Sequence, residues 1–430
     1  MRRSSFAIAA ALFIACAMFA PAQSTRAARA ITPTSSIPGP TDAGQRANAN
    51  IEVLSIDFTG APQTVGPPFS GLFYNTPASL ACVYDLIPPL FSPQCNPNSP
   101  MPNVTGGSKA IGIVDAYDNP NAFADLQAFS TQFGLTPITS SSFQVVYAPH
   151  GTTPFGTCTG PATKPPTDPT GGWEIEESLD IEYAHGMAPG ATLYLVEAQS
   201  NSFADLFCAV SVASSLVASA GGGEISMSWG SGEFSSEVLV DPVFTTPGVV
   251  YFASVGDSAG TSYPASSPNV VAVGGTTLSR NAITGSFENE NVWQNTGGGP
   301  SLFEAAPLYQ KGLVTMRGTP DVAAAANPST GVWVLDNFSG AETPCTGPPC
   351  WYIVGGTSLS SPLWAGIVNA SNAFAASTYT QQIQLYGNNP TNLTDITLGS
   401  CGLYGGFLAG LGWDYCSGNG SPKGYLRPPR

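Results

Sequence analysis

The chain has 430 residues, of which 43% are hydrophobic and only 10% are charged, and it contains 48 glycines and 39 prolines. This length and composition predict a loop-rich globular protein with a large core and exclude a chain that is disordered throughout. The formal net charge of −15 at pH 7 excludes nucleic acid as a partner, because a nucleic-acid-binding surface needs clustered Lys and Arg.

The N-terminus has the pattern of a secretory signal. A basic start is followed by the apolar run Phe6–Ala20, and Ala20-Pro21-Ala22 offers a small-residue cleavage site. We therefore predict a signal peptide over residues 1–22 and a secreted protein. No later stretch is long and apolar enough to span a membrane, so we expect no membrane association after the signal is removed. Lipidation of Cys16 is an alternative that the apolar residues around it disfavour.

The next stretch, residues 23–71, is rich in Ser, Thr, Pro, Ala and Gly and shows no periodicity. This composition is typical of a short leader rather than of a packed domain. A second small-residue cleavage site ends within it at Ala30. We expect folding to begin near Gly71 and a single domain, acting as a monomer, to occupy residues 72–430.

The cysteines predict a disulfide-bonded domain. With Cys16 in the signal, eight cysteines remain, and an even number in a secreted protein implies disulfides. Proximity in the sequence favours the pairs Cys82–Cys95, Cys345–Cys350 and Cys401–Cys416, which leaves Cys158–Cys208. Eight cysteines nevertheless allow 105 connectivities.

Apolar runs alternate with helical patterns along the middle of the chain. Strands are predicted at Lys109–Ala116, Phe143–Ala148, Ala191–Ala198, Glu224–Trp229, Val249–Val255 and Asn269–Val273. Helices are predicted at Asn121–Phe133, Gly172–Gly186, Ser202–Ser219 and Leu363–Ala375. The alternation predicts an α/β fold with a mostly parallel sheet and helices on both faces. From Thr276 to Cys350 the chain is turn-rich, with one clear strand at Gly331–Leu335.

The helix predicted at 172–186 carries a pair of acids. Ile175, Leu179 and Tyr183 recur every four residues, which predicts an amphipathic helix. Glu176 and Asp180 then lie one turn apart on an adjoining face. Two carboxylates this close repel each other, so one of them should hold a proton above its usual pKa, as a general acid or base requires. A solvated acidic face is the alternative.

A candidate nucleophile follows a pair of glycines near the end of the chain. Ser358 stands after Gly355-Gly356-Thr357 and before the predicted helix at 363–375. At a helix N-terminus, free N–H groups can stabilise a developing oxyanion, and glycines let a substrate backbone approach. An ordinary helix N-cap is the alternative.

The base for such a serine is predicted to be a carboxylate. The chain has only two histidines, His150 and His185. His150 lies in a loop, and His185 lies about 180° round the helix from Glu176. We therefore interpret both histidines as structural or surface residues.

These residues in combination resemble the sedolisins, or serine-carboxyl peptidases, over roughly Phe73–Tyr425. The matching motifs are Glu176-Glu177-Ser178-Leu179-Asp180, Ser228-Trp229-Gly230, Gly256-Asp257-Ser258 and Gly356–Pro362. The resemblance implies a subtilisin-like fold and an endopeptidase that cleaves proteins or peptides at acid pH. It also implies the following roles: Ser358 as nucleophile, Glu176 as its general base, Asp180 as the acid that orients Glu176, Asp257 as oxyanion stabiliser and Trp229 as a supporting wall.

The C-terminal stretch has the oxygen donors of a calcium site. Leu393–Gly399 and Ala409–Asp414 supply two carboxylates and glycine-flanked carbonyls, which suit Ca²⁺. Ordinary turns are the alternative. The resemblance to the sedolisins implies one Ca²⁺ held by the side chains of Asp395 and Asp414 and the carbonyls of Ile396, Gly410 and Gly412.

Two other functions compete with this interpretation. A neutral subtilisin-like protease would use Asp115, after the first predicted strand, with a histidine at the start of a following helix, and that histidine is absent. A catalytically silent binding module on the same fold is the second.

Sedolisins are usually made with a folded prodomain, which the roughly fifty low-complexity residues before Phe73 cannot form. We therefore expect no large propeptide, or another means of keeping the protein inactive.

Overall fold

The computed structural model describes residues 29–56, 58, 60–87, 94–152, 157–387 and 392–425. The predicted signal peptide and Cys16 lie outside these residues. Within the described part, no helix is both long and apolar enough to cross a membrane.

The described residues form six α-helices and 23 strands. The helices are α1 (Pro77–Val83), α2 (Ala122–Phe133), α3 (Gly172–Met187), α4 (Phe203–Ser219), α5 (Thr357–Ala370) and α6 (Thr378–Tyr386). The strands are β1 (Arg29–Ile31), β2 (Asn48–Ala49), β3 (Glu52–Ser55), β4 (Ala110–Ala116), β5 (Phe143–Tyr147), β6 (His150–Thr152), β7 (Thr157–Thr159), β8 (Thr192–Ala198), β9 (Gly223–Met227), β10 (Trp229–Gly232), β11 (Val249–Ser254), β12 (Ser262–Tyr263), β13 (Val271–Arg280), β14 (Phe287–Val292), β15 (Gly299–Ala305), β16 (Met316–Thr319), β17 (Val322–Ala325), β18 (Val332–Leu335), β19 (Trp351–Gly355), β20 (Leu393–Thr394), β21 (Ser400–Cys401), β22 (Phe407–Leu408) and β23 (Ser421–Pro422).

An eight-stranded sheet forms the centre of the molecule. Its order is β14, β13, β11, β9, β4, β8, β5, with β17 pairing beside β13. All pairs in this sheet are parallel except the one between β13 and β14. Every residue of β4, β9 and β11 is buried, as expected for central strands of a parallel sheet covered on both faces.

Strand β4 shows directly that helices cover both faces. Successive residues of a strand point to opposite sides, so Gly112 and Asp115 face different layers. A Cβ at Gly112 would lie 3.3 Å from Ala213 and from Val217, both on α4. Asp115 instead lies on the side of α3 and raises the pKa of Asp180 there. The predicted α/β fold, a mostly parallel sheet with helices on both faces, is therefore confirmed.

The region from Thr276 to Cys350 contains more strands than the sequence predicted. Besides β18, it holds β14, β15, β16 and β17. Strand β14 has the sequence Phe-Glu-Asn-Glu-Asn-Val and is largely solvent-accessible. A search for apolar runs does not find this strand because most of its residues are polar. Antiparallel pairing with β13, and not burial, fixes its conformation.

The expectation that folding begins near Gly71 is wrong. Strands β1, β3, β19 and β18 form a four-stranded sheet, and β2 pairs with β10. Ala47 and Ile51 are fully buried. A short extended segment can pack this well because its partners, such as β19, lie about three hundred residues away in the sequence. The composition of the segment itself does not indicate such long-range pairing.

All four predicted disulfides are confirmed. The structure joins Cys82 to Cys95, Cys158 to Cys208, Cys345 to Cys350 and Cys401 to Cys416. The last of these bonds closes the loop that carries the glycines of the predicted calcium site.

Candidate active site

Helix α3 carries the predicted acid pair and is buried on every side. All sixteen of its residues are buried, because α1, α2, α5, β4, β8 and β18 surround it. The expected amphipathic pattern is therefore wrong, and so is the alternative of a solvated acidic face. Five carboxyl groups on this helix are fully shielded from solvent: Glu174, Glu176, Glu177, Asp180 and Glu182.

Burial sets the protonation of the acid pair. Removal from water raises the pKa of Glu176 well above its usual value, and the carboxyls of Asp180 and Asp115 raise it further, while the nearby Ser358 hydroxyl lowers it. Burial likewise raises the pKa of Asp180, again with a contribution from Asp115. The pKa of Asp115 is raised by burial to about 8. Charged carboxylates this close are unfavourable in a low-dielectric interior, so the cluster retains protons at neutral pH.

Ser358 lies in the first turn of α5, which begins at Thr357 rather than at Leu363. It is not an N-cap, because that position belongs to Gly356, whose φ of 115° is a conformation that a side chain would strain. The Ser358 hydroxyl donates to the Ser228 carbonyl at 2.9 Å. Neither carboxyl oxygen of Glu176 has a hydrogen-bond partner among the described residues, so a rotation of the hydroxyl is needed to reach Glu176.

Pro362 lies inside α5 and leaves a backbone carbonyl of that helix free to accept a hydrogen bond from Ser228. Proline has no N–H, so the Ser358 carbonyl four residues earlier lacks its helical donor. The Ser228 hydroxyl takes that place at 3.1 Å and also lies 2.9 Å from Oδ1 of Asp180. A hydroxyl has one hydrogen, so both contacts are satisfied together when protonated Asp180 donates to Ser228. This chain of contacts ties the acid pair to the backbone of Ser358.

Asp257 lies beside the start of α5 with one oxygen held and one unpaired. Its Oδ1 accepts from the Thr357 backbone N–H at 2.7 Å and from the Thr357 hydroxyl at 2.8 Å. Its Oδ2 is buried and has no partner among the described residues. Burial raises the pKa of Asp257 well above its usual value, although the bonds from Thr357 lower it. A protonated Asp257 can therefore donate from Oδ2.

The structure thus brings Glu176, Asp180, Asp257 and Ser358 together, and it adds Asp115 and Ser228. Sequence reasoning assigned Asp115 only to a rejected alternative and gave Ser228 no role. The strand that ends in an acid and the Ser-Trp-Gly motif were the available signals. What was missing was the sheet order, which sets β4 beside β9, directly before Ser228.

The two histidines and Trp229 lie where they serve structure. His185 is buried, its Nε2 lies 2.9 Å from the Thr136 carbonyl, and burial lowers its pKa. The ring of His150 is largely exposed and contacts Asp205 at 3.3 Å. Trp229 is fully buried and donates from Nε1 to the Val114 carbonyl at 2.7 Å. Its ring is therefore a core support, and only its backbone faces the cleft, where it pairs with β2.

The predicted calcium ligands gather in one loop cluster. The Gly412 N–H donates to Asp395 and the Gly410 N–H donates to Asp414, each at 2.9 Å. The Ser417 hydroxyl reaches both the Ile396 carbonyl and Asp414 at 3.3 Å or less. No group of three or more His, Cys, Asp or Glu side chains gathers as a metal site in the described residues. The predicted set contains only two carboxylates, and its remaining donors are carbonyls, so the cluster fits a hard cation such as Ca²⁺.

Comparison with known proteins places this geometry in a family. The model of the Subtilase family matches residues 144–384, more than half of the chain. Kumamolisin from Bacillus sp. (strain MN-32) is 33% identical over 307 residues, covering 61% of this chain and 52% of kumamolisin. Sedolisin from Pseudomonas sp. (strain 101) is 27% identical over 363 residues, covering 74% of this chain and 57% of sedolisin. The chain belongs to the sedolisin branch of the subtilase family.

A solved sedolisin structure agrees with this membership and confirms the predicted subtilisin-like fold. Pseudomonas sedolisin, a serine-carboxyl proteinase complexed with two molecules of pseudo-iodotyrostatin, matches with a TM-score of 0.60 at 26% identity, covering 81% of this chain and 95% of that one. The alignments span about half the length of the two curated sedolisin relatives.

Proposed function

We propose that this protein is a secreted serine-carboxyl endopeptidase that hydrolyses peptide bonds in proteins or peptides at acid pH. One observation carries the proposal: buried carboxyl groups with raised pKa values surround Ser358, with Glu176 near its hydroxyl, Asp180 joined to its carbonyl through Ser228 and Asp257 bonded to the neighbouring Thr357. Both histidines of the chain bond elsewhere. Its family membership supports a serine peptidase. A neutral peptidase using a histidine base has no candidate for that base.

In the proposed reaction, Ser358 is the nucleophile and Glu176 is its base. The hydroxyl leaves the Ser228 carbonyl, rotates toward Glu176 and gives up its proton as Oγ attacks the substrate carbonyl carbon. For this step Glu176 must be ionised while the pair still holds one proton. Asp180 keeps that proton and donates a hydrogen bond to the Ser228 hydroxyl, which holds the pair in place. The shared proton makes the two acids titrate as a unit.

Asp257 would stabilise the oxyanion that forms in this attack. A carboxylate would repel the negative oxygen, whereas a carboxylic acid donates a hydrogen bond to it. Burial favours the acid form of Asp257, and its unpaired Oδ2 is the available donor. The backbone N–H of Ser358, in the first turn of α5, is a second donor. The charge that develops on the oxygen thus meets two fixed donors.

We further propose that one Ca²⁺ binds between Asp395, Asp414 and the carbonyls of Ile396, Gly410 and Gly412. Calcium there would neutralise two carboxylates and hold two loops together. The site does not touch Ser358 or its acids, so the role proposed for the ion is structural.

Hydrolysis of casein at acid pH tests the proposed function. Wild-type protein should clear casein near pH 4, and Ser358→Ala should not. Ser361→Ala is the matched control, because Ser361 lies on the same helix and its hydroxyl pairs with Ser226 instead of entering the site. If folded wild-type protein cleared no casein from pH 3 to pH 7, the proposed function would be wrong and the protein would be a catalytically silent binding module.

A further inference from the structure

A segment of the chain lies extended in the candidate active site and shows how a peptide backbone fits there. Strand β2 pairs antiparallel with β10, which sets Ala49 opposite Trp229. Strand β3 pairs antiparallel with β19. Addition of an extended chain to the edge of a strand is a common way of binding a peptide through its main chain. Asn50 and Ile51, between the two ladders, therefore occupy the part of the cleft that a substrate would enter.

The main-chain contacts of Asn50 place this residue at the nucleophile. Its N–H donates to Oγ of Ser358 at 3.1 Å, and its carbonyl oxygen accepts from the Ser358 N–H at 3.1 Å. A Cβ built on Gly356 would lie 2.0 Å from that oxygen and 2.6 Å from Oδ2 of Asp257. The carbonyl oxygen thus lies near both donors proposed for the oxyanion. The side chain of Asn50 accordingly occupies the subsite of the residue whose carbonyl group a substrate presents to Ser358.

Three residues border this subsite, which we call the acyl-side pocket: Ser254, Gly256 and Ser262. Nδ2 of Asn50 donates to Oγ of Ser254 at 2.7 Å, at the C-terminal end of β11. A Cβ built on Gly256 would lie 3.8 Å from Oδ1 of Asn50 and 3.7 Å from Oγ of Ser262. Asn50 is only 8% exposed, so the pocket shields its amide from most of the solvent.

The Ser254 hydroxyl is a buried polar group that depends on this amide. Ser254 is fully buried, and among the described residues its side chain has Nδ2 of Asn50 as its hydrogen-bond partner. The Ser262 hydroxyl differs, because it donates to the Val255 carbonyl at 2.8 Å and is satisfied without a ligand. A buried hydroxyl that lacks a partner is unfavourable, so the pocket favours an occupant that can bond to Ser254.

Asparagine meets this requirement better than an apolar residue of the same shape. Leucine branches at the same carbon and fills a similar space, yet it would leave the Ser254 hydroxyl without a partner. A site built to hydrogen-bond its substrate discriminates more strongly against an analogue that lacks the bonding group than an apolar pocket does. The difference between these two residues is therefore set by Ser254 and not by the size of the pocket.

Resting on the proposed function, we propose that the acyl-side pocket selects asparagine, so that the protein cleaves peptide bonds on the carboxyl side of asparagine, and that Ser254 determines this preference. The main-chain contacts of Asn50 are available to any residue in its place, so the preference depends on the side chain. Ser254 bonds to that side chain and not to the carbonyl group, which makes it a specificity residue and not a catalytic one.

Two synthetic peptides test the preference. They are identical except that one has asparagine and the other leucine directly before the expected cut, and in both this position follows an alanine, as Asn50 follows Ala49. With folded full-length protein near pH 4, kcat/KM should be about tenfold or more higher for the asparagine peptide. In Ser254→Ala this ratio should fall to about one or below, because alanine offers the amide no acceptor. The ratio of two substrates on one preparation does not depend on how much of the variant has folded.

Ser226→Ala is the matched control. Ser226 is a fully buried serine on β9, the strand beside β11, and its hydroxyl pairs with Ser361. The preference for asparagine should stay at its wild-type value in this variant. Mass spectrometry of casein fragments adds a measurement that needs no variant. Relative to the frequency of each residue in casein, cuts by wild type should follow asparagine more often than leucine.

The outcomes separate this inference from the function on which it rests. Equal or faster cleavage of the leucine peptide by wild type, or an unchanged preference in folded Ser254→Ala, would overturn the inference and leave the proposed function standing. Casein cleared without cuts after asparagine would do the same. If folded wild type cleaves neither peptide and clears no casein, the proposed function fails as well.

Discussion

Two pairs of acids in this molecule show how surroundings decide what a carboxyl group can do. Glu176 and Asp180 lie on a helix that is buried on all sides, and burial raises the pKa of both. Repulsion from Asp180 and Asp115 adds to the rise for Glu176, and repulsion from Asp115 adds to the rise for Asp180. Asp395 and Asp414 lie in exposed or half-exposed loops and accept N–H groups of Gly412 and Gly410. The buried pair suits proton transfer, whereas the surface pair keeps hard oxygens available for a cation.

The difference also shows that an acid-rich sequence does not by itself indicate a solvated surface. Glu177 and Glu197 are buried like the acid pair, and burial raises the pKa of Glu197 to about 9. Glu224, at the far end of the sheet's β9, has its pKa raised to about 8 by burial. Neutral carboxylic acids are therefore part of the folded interior at pH values where surface acids are charged.

The largest effect is expected from removing the nucleophile. Ser358→Ala should lower peptide hydrolysis at acid pH by about 10⁴-fold or more, as loss of a nucleophile does in other serine peptidases. The fold should persist, since alanine fits the same space. Initial rates and circular dichroism check this. Activity within tenfold of wild type in the folded variant would remove Ser358 from the mechanism.

The Glu176→Gln variant tests whether Glu176, and not one of the buried acids near it, is the general base. Without a group to accept the serine proton, the rate should fall by about 10²–10⁴-fold. The matched control is Glu177→Gln, one residue along the same helix, whose raised pKa makes the protonated acid similar to glutamine. Its rate should stay near that of wild type. His185→Ala should also cost little activity per folded molecule. A dead His185 variant with an active Glu176 variant would mean that the base is wrongly assigned.

Calcium should act on the surface pair and not on the buried one. At a free concentration of 100 times Kd, a bound ion adds about 2.7 kcal/mol to the free energy of unfolding, or a Tm increase of about 3 °C for a chain of this length. Excess chelator should remove this increase, and Asp395→Asn or Asp414→Asn should lower calcium affinity and Tm together. Glu288→Gln, at an exposed acid outside the cluster, should change neither. An unchanged Tm with chelator would refute the site.

A further prediction concerns the change of stability with pH. Buried acids such as Asp115 and Glu224, with pKa values of about 8, bind a proton in the folded state that they lose near pH 4 when unfolded. Their stabilising contribution is therefore fully present below about pH 4 and falls as the pH rises to about 8. Tm should decrease over this range, and Glu224→Gln should flatten the decrease, whereas Glu288→Gln should not. A Tm that rises from pH 4 to pH 8 without calcium would contradict this.

The sequence predicted those helices and strands whose positions depend on the local pattern of apolar residues. The helix at Gly172–Met187 and strands such as β4 and β8 were found within a residue or two, because burial on a parallel sheet produces continuous apolar runs. The disulfides followed from spacing, and motifs singled out the residues to which catalytic roles are proposed. The resemblance, not periodicity, gave the roles of Asp180 and Asp257.

Long-range contacts account for what the sequence could not predict. The packing of β2 and β3 depends on Trp229 and Gly355, far away in the chain. The contact of Ser228 with Ser358 depends on a missing N–H at Pro362, which is visible only once the helix is seen to include that proline. The complete burial of α3 depends on neighbours that no window of local sequence contains.

The central claim is that the site works with Asp257 protonated and Glu176 ionised, and the pH–rate profiles of wild type and Asp257→Asn on one peptide test it most directly. Burial raises the pKa of Asp257, so its acid form persists through the acid range, and activity should fall as the pH rises through that pKa. Wild type should give a bell-shaped profile with an acid optimum. Asparagine keeps a donor that needs no added proton, so Asp257→Asn should retain some activity and lose it only at higher pH. Coincident profiles, or a wild-type optimum near neutrality, would contradict the account.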